Sequence, residues 1–145
     1  MFLALPVMAD TSASATNPNA TALANIKNLR QNDKGLADQL TSLRQSNQAQ
    51  RKTDRAQKNY TALLAAKNDQ ISFENDYTTA RADGLNLQKD SIQLQIDRQA
   101  KNETNIATDL QNIISDLNNQ ITVRNQLITD AQKIQVDLGG SAAST

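Results

Sequence analysis

Apolar residues recur in a 4-3-4-3 alternation from Ala22 to Leu138. One series runs Ala22, Leu29, Leu36, Leu43, Leu64, Ile71, Leu85, Ile92, Ile106, Ile113, Leu127 and Ile134; the other contains Ile26, Leu40, Ile96, Leu110, Leu117 and Leu138. Of 34 such positions twenty are apolar, against about 13 from the overall hydrophobic content of 38%. In heptad lettering the first series is d and the second a. A 3.5-residue repeat of this length predicts an all-α protein of long helices packed as a coiled coil or helical bundle with left-handed supercoiling. The seam through which chains are expected to oligomerise lies at Leu29, Leu36, Leu40, Leu43, Leu64, Ile71, Leu85, Ile92, Ile96, Ile106, Leu110, Ile113, Leu117, Leu127, Ile134 and Leu138.

A second apolar line, Phe73, Ala80, Leu87 and Leu94, repeats at position f, and Ile114, Ile121 and Ile128 widen the seam at e. A helix apolar on two faces needs two neighbours, so Phe73, Leu87 and Leu94 form a second contact stripe. The alternation in 85–96 also fits a short β-hairpin, but the heptad runs through it and β-branched residues are few.

One straight helix from 22 to 138 would run roughly 175 Å. Two places can interrupt it: Gly84 near the centre, and 47–59, which has no large apolar residue. Because the heptad count is the same on both sides of Gly84, a long helix with an irregularity at 83–84 is expected, with a helical hairpin bent near Gly84 or a three-helix arrangement close behind. Asn17-Pro18 is a favourable helix start, and Gly139-Gly140 a strong stop.

The ends divide the chain further. Residues 1–9 (MFLALPVMA) read as the remnant of a secretory signal, apolar with a cleavage-like end. They are too few to span a bilayer, so no stable membrane insertion is expected. Residues 10–20 form a flexible leader, 21–138 the coiled-coil domain, and 139–145 a disordered tail. The expected location is outside the cytoplasm, periplasmic or extracellular.

Charge sharpens the picture. Position e is basic early (Arg30, Arg44, Arg51, Lys58) and position g acidic late (Asp109, Asp116, Asp130, Asp137). Staggered parallel chains could bring the two together and polymerise. Asp69, Asp76, Asp83, Asp90 and Asp97 repeat every seven residues at b, an acidic stripe expected to be a solvated face, with cation bridging between rods as the functional alternative. Asp33, Asp54, Lys89, Glu103 and Arg124 fall in the seam, where charges fix partner and register rather than add stability.

Composition removes function classes. The 145 residues include no Cys, His or Trp, so thiol chemistry and His- or Cys-built metal sites are excluded. Lys+Arg and Asp+Glu balance at 15 each, which offers nucleic acid no attractive field. Asn and Gln make up 32 residues and fit a solvated helix surface. Three Asn-x-Thr sequences (at Asn19, Asn59 and Asn102) are at chance frequency for this composition.

No catalytic, cofactor or metal constellation is present in the sequence. The expected function is therefore a non-enzymatic structural protein, an exported coiled coil whose partner is itself and which builds a fibre, filament or surface assembly. The alternative is a periplasmic helical binding module, a holdase chaperone for a protein client or an envelope spacer.

Overall fold

The computed structural model describes residues 17–139. The expectations for the signal remnant, most of the leader and the tail beyond Gly139 lie outside those residues. Three helices follow one another: α1 (Pro18–Ala56), α2 (Tyr60–Gln99) and α3 (Glu103–Asp137). The protein is all-α, and its helices pack side by side in an up-down-up bundle about 60 Å long.

The chain reverses at 57–59 and 100–102, and α2 is continuous through Gly84. The hairpin bend at Gly84 is thus not where the chain turns. One glycine costs a helix only about 1 kcal/mol, and an added Cβ at Gly84 would meet nothing within 4 Å. The polar run at 47–59 does hold a turn.

Both turns are the same device. Asp54-Arg-Ala-Gln-Lys-Asn-Tyr-Thr61 and Asp97-Arg-Gln-Ala-Lys-Asn-Glu-Thr104 match at five of eight positions. In each, the Lys takes a left-handed conformation, with φ of 54° at Lys58 and 55° at Lys101. The Lys58 N–H donates to Arg55 O (3.2 Å) and the Asn59 N–H to Asp54 O (2.8 Å); Lys101 to Arg98 O (3.2 Å) and Asn102 to Asp97 O (3.0 Å) repeat the pattern. These paired bonds close the last turn of a helix. The next residue then caps the following helix: Asn59 Oδ1 accepts from the Ala62 N–H, and Asn102 Oδ1 from the Asn105 N–H. Two of the three sequon-like asparagines are therefore helix caps in the turns.

Helix α3 is central. It packs extensively along both α1 and α2, while α1 and α2 meet only sparingly. α1 runs parallel to α3 and buries the narrow a/d stripe: Ala22, Ile26 and Leu40 are buried, with Leu29, Leu36 and Leu43 packed at its edges. α2 runs antiparallel to α3 and turns its f line inward: Ala66, Phe73 and Leu94 are buried, Leu87 and Ala80 half-buried. Two apolar clusters result. One, near the first turn, contains Phe73, Leu127, Ala131, Ile134 and Leu138; the other, near the second, contains Leu94, Ile106, Leu110, Ile113 and Leu117.

Polar contacts fix the alignment of α1 on α3. Arg124 donates from Nε to Asp33 Oδ1 (2.6 Å) and from Nη2 to Asp33 Oδ2 (3.2 Å), a two-pronged pair between the clusters. Buried Asn47 donates to Ala131 O at 2.8 Å. Both sit at a positions, as polar groups that specify register do.

A non-glycine residue in the left-handed region is strained. Lys58→Gly and Lys101→Gly are therefore expected each to raise stability by roughly 0.5–1 kcal/mol, read as a higher urea midpoint. Leu117→Ala, in a fully buried site, is expected to cost about 2–5 kcal/mol in the same measurement.

Candidate interaction surface and acidic ladder

The sixteen seam residues divide. Leu29, Leu36, Leu40 and Leu43 on α1, and Ile106, Leu110, Ile113, Leu117, Leu127, Ile134 and Leu138 on α3, lie in or against the interior. Leu64, Ile71, Leu85, Ile92 and Ile96 on α2 lie outside. The heptad count survives the first turn, but the face turned to the core does not, because the turn's geometry sets how α2 is rotated. With f inward, d points about 160° away. α2 thus carries two apolar stripes on opposite sides.

Exposure of the outer stripe is pronounced: Leu64 is 65% exposed, Ile71 60%, Leu85 59% and Ile92 58%. Four large aliphatics at intervals of seven or fourteen residues form one line about 42 Å long. Scattered surface apolar residues need no explanation, but a straight line of them does.

The acidic stripe is not a solvated face. It turns toward α3, where the residue numbers of facing positions sum to 206. Asp97 lies within hydrogen-bonding reach of Asp109, Asp90 of Asp116, Asp76 of Asp130, and Asp69 of Asp137. The central rung would pair Asp83 with Val123, where α3 has no acid. The late acidic g positions are thus occupied within the chain. They cannot serve a staggered neighbour as the sequence pattern suggested. The early basic positions point elsewhere too: the Arg44 guanidinium lies 5.8 Å from the ring centres of both Phe73 and Tyr77, and Arg51 Nη1 donates to Gln70 Oε1 at 3.0 Å.

Facing carboxylates cannot both ionise cheaply. Burial pushes Asp109, Asp116, Asp130 and Asp137 above the usual carboxylate range, and the facing Asp97, Asp90, Asp76 and Asp69 add to the rise. Asp130 is 2% exposed, and exposed Lys133 at 3.7 Å does not offset the effect. Asp97 goes the other way: Gln93 Nε2 donates to it at 2.9 Å and Asn105 Nδ2 at 3.1 Å, holding its carboxyl low. One Oδ of each of Asp109, Asp116 and Asp130 is buried without a hydrogen-bond partner. In each rung the carboxyl on α3 is the one held above the ordinary range.

Where α1 and α2 meet over α3 there is a cleft of about 240 Å³, lined among others by Arg44, Asn47, Arg51, Gln70 and Phe73. Ligand cavities usually run about 300–1,000 Å³. Among the described residues no group of three or more potential ligands is placed to hold a metal ion, and no helix is long and apolar enough to cross a membrane. No protein family, no curated protein and no solved structure matches this chain. What the surface offers must be read from its own geometry.

The ladder makes a signed prediction. A carboxyl raised in the folded state binds more protons folded than unfolded, so its contribution is present at low pH and lost as pH rises through the raised value. Asp97 opposes this only as pH falls below the ordinary range. The urea midpoint is expected to fall as pH is raised from about 4 to 7. Asp130→Asn, which removes one charge of the Asp76 rung, is expected to raise the midpoint at pH 7 and to flatten the slope.

Proposed function

We propose that this protein is a non-enzymatic structural module that associates with itself through the outer face of α2, as the building unit of a fibre, filament or surface assembly. The single observation that supports this is the solvent-facing line Leu64–Ile71–Leu85–Ile92. Its seven-residue spacing is the repeat that another long helix satisfies, since a coiled-coil partner presents matching holes along the same supercoil. A client recognised in unfolded form would not require that regularity, and the balanced charge supplies no attraction for one. On this reading the bundle is a rigid support, and α2 contributes one face to the core and one to a partner. The compartment we favour, periplasmic or extracellular, rests on the Met1–Ala9 stretch alone.

Sedimentation velocity on the intact chain over a wide concentration range tests the proposal. A boundary that speeds up with concentration is expected. Ile71→Glu with Leu85→Glu is expected to return a monomer of unchanged helicity by circular dichroism. A wild-type monomer at all concentrations, or an oligomer indifferent to the double variant, would remove the α2 face from the account.

A further inference from the structure

Resting on that reading, we infer that the occupant of the α2 face is the α2 helix of a second copy, packed antiparallel about a two-fold axis that passes beside Thr78. The stripe itself is symmetric. About Thr78, Leu64 stands as far to one side as Ile92 to the other, and Ile71 as far as Leu85. A second copy turned end for end therefore sets Leu64 against Ile92, Ile71 against Leu85, and Thr78 against Thr78. Every large aliphatic of the line meets another, and all are exposed in the single chain.

Charge selects this alignment over its neighbours. On the outer face, d is flanked by g on one side and a on the other. A two-fold axis across antiparallel helices brings g beside g and a beside a. About Thr78 this places Glu74 beside Arg81 of the second copy, and Arg81 beside its Glu74, two reciprocal ion pairs. Both residues are exposed, and neither forms a salt bridge among the described residues of one chain. The remaining cations meet neutral residues: Lys67 lies beside Gln88, and Lys89 beside Asn68.

A slide of one heptad either way loses the match. One direction sets Arg81 against Arg81. The other sets Glu74 against Glu74 and Lys67 against Arg81. A parallel pair keeps the apolar line but places Glu74 beside Asn75 and Arg81 beside Ala82, with no ion pair. Like charges set against each other are how helix pairs reject wrong partners and registers.

The contact is isologous, with the same patch used on both copies, so it closes at two chains. A larger assembly needs a second surface, and the dimer is its unit. The outer aliphatics of α2, unlike its f line, then have a partner only after association.

The absence of cysteine allows a direct test. Helices packed 8–10 Å apart bring facing Cα atoms to about 5 Å, within disulfide reach. Under mild oxidation of the native chain, Thr78→Cys is expected to link to a second Thr78→Cys. Ile71→Cys alone is not, since its two copies would stand about 21 Å apart along the axis. Ile71→Cys mixed with Leu85→Cys is expected to give the mixed dimer. Self-linking of Ile71→Cys and of Leu85→Cys as efficient as that of Thr78→Cys would show a parallel pair and overturn the inference. Association by sedimentation with no linking in any variant would overturn it too, while leaving self-association standing through another face. No association at all would take down both readings.

Charge reversal gives an independent measure. Glu74→Arg and Arg81→Glu are each expected to weaken dimerisation about tenfold. Combining both in one chain is expected to restore it, because each reversed residue then meets the other reversed residue across the axis. A double variant as weak as the single ones would overturn the alignment.

Discussion

Helix α3 has an apolar face too wide for one neighbour to cover. Its a and d positions, with Ile128 at e, form a broad buried band from Ile106 to Leu138. A two-stranded coil would leave part of that band in water. Two helices must flank it, and the chain supplies both by reversing twice in three residues each time. The remaining arrangement follows from this coverage. α1 needs only a narrow stripe because it touches one side of α3. α2 takes the other side with its f line, and its d line is left outward.

The interior polar groups divide by what they do. Asp33–Arg124 and the Asn47 Nδ2–Ala131 O bond tie the parallel helices together, at an offset of 91 residues for the ion pair, thirteen whole heptads. Removing one partner would leave a part-buried charge alone, so the pair acts against slippage more than for stability. The carboxylate ladder between α2 and α3 is a different case. Its rungs hold like groups together at a regular interval, and apolar packing on the f line must outweigh their repulsion.

How far the sequence revealed this differs by helix. The seams of α1 and α3 were legible, because a/d periodicity maps directly onto burial when a helix has its core on that side. Phe73, Leu87 and Leu94 were legible as a second contact line for the same reason. The rotation of α2 was not, because the heptad count continues unbroken across a turn that leaves it numerically intact while reorienting the helix. The turns themselves left a signal, the five residues shared by segments 54–61 and 97–104, but a lysine in the left-handed position carries none of the usual marking of a glycine. The acidic stripe at b and the acidic run at g were each visible. That they face one another depends on the reversal at 100–102, which no spacing on one helix reveals.

Three helices is an odd number. The described chain enters the bundle at Asn17 and leaves it at Gly139, at opposite tips separated by about 50–60 Å. A two- or four-helix bundle would return its chain to the tip where it began. Here, whatever is joined before residue 17 is held a fixed span from whatever is joined after residue 139. The bundle is in this respect a strut, with its length written in the distance between two three-residue corners.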